Sequence, residues 1–404
     1  MHDKAEGSAL PRTNDGRRGV RFSYRTDIYS LVFLIALAAA STVPFFYAAG
    51  GHLPQAHDLR IHWVRMIAFD EVLRSGVLYP RWLSSLNYGL GAATTSFYAP
   101  GIYYLMSVSH WVTGNWTSAI ELGVVSAAVA SAVAFYGYAR QLMPSLGATI
   151  ATALYLLLPY RMIDLYHRGA LAELLGFVWM PLVLLSFSLS LRRASALNLV
   201  MGGVAFGALV LTHPPTAYVF ALTLAIIAVV IAIRSRSWRP LVIVFVFGIM
   251  GGALSAFYSL PAFLELSYVK QEITATFEAR AGDLKDLITG GPFEQMLAAI
   301  AFTGLVLSLA CYFFSSKAWV SEKSVRDDSI GWLIVSVALV GAMAPFSRML
   351  LRPLPGFNIT GFLWRWLAIQ VISVAILAGL AFQAAWRSDR RRVVLLAVLT
   401  GTVL

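Results

Sequence analysis

Residues 28–49, IYSLVFLIALAAASTVPFFYAA, run within a few positions into residues 57–65, HDLRIHWVR. The first stretch supplies about the twenty apolar residues that a helix needs to cross a bilayer. The second places Asp58, His62 and Arg65 at i, i+4 and i+7, one face of a helix, just after that span leaves the membrane. A carboxylate, an imidazole and a guanidinium gathered there point to chemistry at the outer membrane surface.

The rest of the chain repeats the first stretch. Of 404 residues, 58% are hydrophobic and 13% charged, and the mean hydropathy is +0.71. This excludes a soluble domain and predicts an all-α polytopic membrane protein. Apolar stretches follow at roughly 117–139, 146–159, 170–191, 196–212, 215–233, 240–260, 295–314, 329–346, 359–386 and 393–404. That makes ten complete spans, with an eleventh begun where the sequence stops. The net charge of +11 comes from basic residues clustered between spans and does not call for nucleic acid. Cys311 is the single cysteine, so there is no disulfide framework and no thiolate metal site. No GxxxxGK[ST], strand-linked GxGxxG or HExxH occurs, which removes nucleotide and zincin chemistry of the familiar kinds.

Residues 1–25 read as a disordered cytoplasmic tail, and 26–404 as the transmembrane domain. The first span is longer than a signal-peptide core and reads as an uncleaved anchor. Residues 96–113 decide the topology. If they cross the membrane, the clusters at Arg192 and Arg193, at Arg234, Arg236 and Arg239, and at Arg387 to Arg392 all lie outside. If they are a surface or re-entrant segment, these clusters join the N-terminal arginines inside, as the positive-inside rule favours. Residues 50–116 are then one long outer loop with juxtamembrane helices, and 261–294 a second.

This topology collects the candidate site residues on one face. Asp58 is either a general base that activates an acceptor hydroxyl or a solvated acid paired with a surface arginine. His57, Asp58 and His62 are a weak ligand set for magnesium or manganese, with interfacial hydrogen bonding as the plainer reading. Arg81, in GVLYPRW (76–82), either grips a phosphate or snorkels to lipid headgroups. That run and Asn87 to Gly91 read as a turn, a surface helix and a flexible loop. In DLYHRGALAE (164–173), Asp164, Arg168 and Glu173 mark the start of a span. An acid there needs a partner or a cavity. His213 of LTHPP either caps a helix or faces the cavity, and Arg365, between Trp364 and Trp366, requires an anion or carbonyl partner.

These segments, with FYAP (97–100) and FLWR (362–365), resemble a family of bacterial integral membrane proteins labelled "6-pyruvoyl-tetrahydropterin synthase-related". The resemblance covers most of residues 28–386. More distantly, the layout is similar to the GT-C superfamily of membrane glycosyltransferases, with a first span, a long outer loop carrying an early acid and surface helices, and many further spans. The resemblance implies transfer of a sugar from a polyprenyl-phosphate donor to an acceptor at the outer face of the bacterial inner membrane, in cell-envelope chemistry. Asp58 would stand at the position of the early acid, as base or metal ligand. Arg81, Arg168 and Arg365 would be candidates for the lipid phosphate. The alternative is a transporter or flippase that binds the same lipid-linked saccharides without cleaving them.

Overall fold

The computed structural model describes residues 24–47, 54–269, 284–316, 323–344, 347–351, 353–354, 357 and 362–388. Residues 1–23 of the expected tail (1–25), the eleventh apolar run, Arg352 and the arginines at 390–392 lie outside the described residues, and Tyr24 and Arg25 are helical. Among those described, everything regular is helical, apart from one isolated bridge between Leu83 and Ala92.

The first span comprises α1 (Tyr24–Ala40) and the short α2 (Val43–Tyr47). Beyond it, α3 (Leu59–Arg74) turns Leu59, His62, Met66, Phe69 and Asp70 inward, a helical stripe that explains how so mixed a sequence is held down. After α4 (Thr94–Phe97) comes α5 (Gly101–Thr113), whose thirteen residues reach about 20 Å, too short to cross a bilayer. By its length α5 is not a candidate span on its own.

Long helices follow: α6 (Trp116–Leu142), α7 (Ser145–Leu157), the short α8 (Pro159–Ile163), α9 (Leu171–Arg192), α10 (Ala196–Thr212), α11 (Pro214–Ser235) and α12 (Arg239–Leu264). Then come α13 (Leu284–Thr289), α14 (Pro292–Ser316), α15 (Lys323–Ala342), α16 (Ser347–Leu351) and α17 (Leu367–Ser388). Among the described residues, seven helices are long and apolar enough to cross a membrane, and α7 with the segment Pro159–Arg168, bent by 40°, makes an eighth if the two count as one span. α10 and the apolar part of α15 are shorter, so each of the ten complete apolar runs read from the sequence lies on a helix, but only seven or eight of those helices have the length of a span. α17 is central and buried along its length, whereas α1 and α12 lie at the periphery.

Small residues set a close helix crossing. A side chain on Gly207 would meet Gly251 O at 3.1 Å, and one on Gly251 would meet Gly207 N at 2.8 Å, so α10 and α12 touch backbone to backbone.

The segment 76–93 departs from the sequence reading. It forms no surface helix. The Leu83–Ala92 bridge and a 3-10 turn at Asn87–Gly89 close it instead. Tyr79 Oη donates to Thr95 O at 2.8 Å, and Thr95 Oγ1 donates to Pro80 O, so the backbone that a helix would consume is pinned to α4.

Candidate functional site at one end of the bundle

The site begins with a broken helix. Pro159 has no N–H and stops α7, and the chain continues through α8 into a wide π turn over Asp164–Arg168. Gly169 ends that turn at φ +61°, a left-handed conformation that suits glycine. A Cβ on Gly169 would lie 2.8 Å from Ala56 Cβ and 2.9 Å from Leu59 Cβ. The absent side chain lets the start of α3 dock. His57 N donates to His167 O at 3.2 Å and Asp58 N to Arg168 O at 2.8 Å. Two segments about 110 positions apart in sequence thus present Asp58 and Arg168 side by side.

Arg168 Nη1 donates to Asp164 Oδ1 at 2.5 Å and to Glu173 Oε2 at 2.7 Å, both acids being fully buried. Tyr160 Oη donates to Glu173 Oε1 at 2.8 Å and accepts from Arg168 Nη1 at 3.3 Å. One guanidinium thus binds both acids where water is excluded, so each buried carboxyl group has a charged donor. Its other nitrogen, Nη2, lies 3.9 Å from Asp58 Oδ2. The Asp58 side chain is 46% exposed and makes no capping bond at the start of α3, so it is open to a substrate.

Asp58 opens onto a cavity of about 780 Å³. His62, Arg65, Arg168, Glu173, His213 and Arg365 line its polar side. Phe206, Val210, Ala217, Tyr258 and Phe263 form an apolar wall. His62 lies 3.4 Å from both Tyr98 Oη and Tyr103 Oη. Burial, with Arg65 nearby, pulls its pKa down to about 4, so it is neutral at physiological pH. Burial raises Tyr103 to about 12, keeping it a phenol. Arg65 sits over the Tyr98 ring at 5.2 Å. His213, just before α11, shares a 2.7 Å hydrogen bond with Thr216 Oγ1, so it both braces that helix start and faces the cavity. Arg365 stands on the 3-10 turn Leu363–Trp366 that leads into α17.

Two candidates stand apart. Arg81 does not line the cavity, and its Nη2 bonds Glu265 Oε2 at 2.7 Å, so an internal carboxylate takes the place expected for a phosphate. Asp164 lies behind Arg168 and acts on the cavity only through it. The His57–Asp58–His62 metal set does not form. His57 packs edge-on to His167 at 4.5 Å while His62 turns to the two tyrosines. No three His, Cys, Asp or Glu side chains converge as a cation would require among the described residues.

Sequence reasoning missed Tyr160 and Asp70. The only signal for Tyr160 was its place after a helix-breaking proline. Asp70 accepts from Trp111 Nε1 at 2.7 Å and Arg74 Nε at 2.8 Å, and lies 3.2 Å from His110 Nδ1. Burial works to raise its pKa, but these donors together hold the carboxyl below its usual range and clamp α3 to α5.

The fold is thus an all-helical membrane bundle with a charged cavity at one end. The chain belongs to the family described as 6-pyruvoyl-tetrahydropterin synthase related domain, membrane protein, which matches residues 95–404. Among solved structures, it is similar to the oligosaccharyltransferase of Archaeoglobus fulgidus. For the form with Zn and sulfate the TM-score is 0.56 at 14% identity, covering 93% of this chain and 51% of the other. For the apo form the TM-score is 0.54 at 11% identity, covering 94% and 54%. For the complex of that enzyme, AglB, with an inhibitory peptide and a dolichol-phosphate it is 0.54 at 13% identity, covering 93% and 55%. The chain thus spans about half the length of these structures. No curated protein matches it.

Proposed function

We propose that the protein is a membrane glycosyltransferase that moves a sugar from a polyprenyl-phosphate donor to an acceptor hydroxyl at the end of the bundle bearing Asp58. The observation that carries this is the cavity itself, in which an exposed carboxylate, two flanking arginines and an apolar wall meet at one end of a membrane bundle. The similar fold of a protein solved with a dolichol-phosphate supports it. That end is read as the outer face of a bacterial inner membrane, because Arg140, Arg192, Arg193, Arg234 and Arg239 gather at the opposite end.

In the proposed reaction the Asp58 carboxylate takes the proton of the acceptor hydroxyl. The acceptor oxygen bonds to the anomeric carbon as the bond from that carbon to the phosphate oxygen breaks. The electron pair leaves with the lipid phosphate, which gains a negative charge. Arg365 and Arg65 stabilise that charge. Arg168, committed to Asp164 and Glu173, positions Asp58. His62 and His213 offer hydrogen bonds to sugar hydroxyls. No step is assigned to a metal.

The test is transfer by the purified full chain in proteoliposomes, using radiolabelled polyprenyl-phosphate sugars. Wild type should release lipid phosphate and label an acceptor. Asp58→Asn should lower the rate ~10²-fold or more while donor still binds. Donor moved across the bilayer intact, with Asp58→Asn altering only affinity, would establish the flippase reading instead.

A further inference from the structure

A second cavity of about 250 Å³ lies to the side of the first, between α8, α14 and α17. Tyr160, Met296, Ala299, Thr303, Gln370 and Val374 are among its walls. It runs along α14 from Met296 to Leu307, about 16 Å of helix, and so reaches into the hydrocarbon depth of the bilayer. Exposed Met296 and Ala299 sit on its rim, and α14 shows Phe302, Val306 and Phe313 to the lipid on its remaining surface. Gln370 Nε2 donates to Ala301 O of α14 at 2.9 Å, while Oε1 of the same amide is buried with no hydrogen-bond partner among the described residues. The lining is otherwise apolar but for Thr303 and the Tyr160 hydroxyl, and that hydroxyl is occupied by Glu173.

We infer that this side cavity binds one acyl chain of a bilayer phospholipid, whose presence braces Tyr160 against the ion network of the main site. An apolar cavity of ~150 Å³ already stays dry and takes up benzene, so 250 Å³ in contact with lipid has hydrocarbon as its natural filling. It has no cationic wall for a headgroup. The Tyr160 ring walls this cavity while its hydroxyl bonds Glu173 and Arg168, so a chain packed on the ring restrains the hydroxyl. The inference concerns a site apart from the proposed transferase cavity and does not require that reading.

The experiment uses the full chain in nanodiscs doped with a phosphatidylglycerol that carries a diazirine midway along one acyl chain. After photolysis, labels should concentrate on α14 between Met296 and Leu307 and on α17 between Leu367 and Val374. Ala299→Trp, a change at the exposed rim, should cut that labelling at least fivefold and leave labels around Phe313 unchanged. Added phosphatidylglycerol should raise the Tm of delipidated wild type more than that of Ala299→Trp. Labels spread evenly over the lipid-facing helices, or unchanged in the variant, would overturn the inference. So would a diazirine-bearing polyprenyl phosphate that labels these peptides in preference to the phospholipid, since the cavity would then belong to the donor's chain.

Discussion

Arg168 binds two buried carboxylates and still lies 3.9 Å from a third, Asp58. Removing one acid leaves a buried donor without its acceptor, at ~1–3 kcal/mol, whereas removing the cation strands buried acids at ~3–5 kcal/mol. Glu173→Gln should therefore lower the Tm sharply, and Arg168→Gln more so, because it strands both acids. Circular dichroism melts in detergent check the order, and equal losses would contradict it. His62 gives a pH prediction. In the unfolded chain it titrates near 6.5, and in the fold at about 4. Between those values only the unfolded state binds the proton, so stability falls as pH drops through that window and levels off below it, by up to about 3 kcal/mol. His62→Gln should flatten this part of the Tm-against-pH curve. A slope unchanged in the variant would show that another group carries it.

At the scale of elements, the site depends on how α3 is held at its two ends. Gly169 receives its start and Asp70 clamps its last turns. Gly169→Ala adds left-handed strain and a clash with Ala56 and Leu59, a cost of ~1–3 kcal/mol before any repacking. It should weaken transfer more than donor binding, because it moves Asp58 and leaves Arg365 in place. Asp70→Ala leaves Trp111, Arg74 and His110 without their acceptor, at ~1–3 kcal/mol. Hydrogen exchange along α3 should rise in both variants, and unchanged protection would refute the docking. The sequence revealed α3 and its Asp58–His62–Arg65 face because helical spacing is local. It did not reveal the Asp70 clamp or the Arg81–Glu265 bond, because those partners come from segments brought together only by packing.

Over the whole molecule, the long helices were legible from apolar length alone, because hydropathy is summed along a continuous stretch of chain. The sequence put Arg365 and Asp58 at the same face, but not in one cavity, since that depends on how the centrally buried α17 packs against the other helices. Gly207→Leu should splay the crossing of α10 with α12 and lower the Tm, with donor affinity falling as the apolar wall of the cavity moves. The most direct measurement is a cryo-EM structure of the full chain with a polyprenyl-phosphate sugar. The account predicts phosphate density within hydrogen-bond reach of Arg365 or Arg65, and the sugar beside Asp58. A main cavity without lipid density, or a phosphate bound away from both arginines with Asp58 facing bulk water, would contradict it.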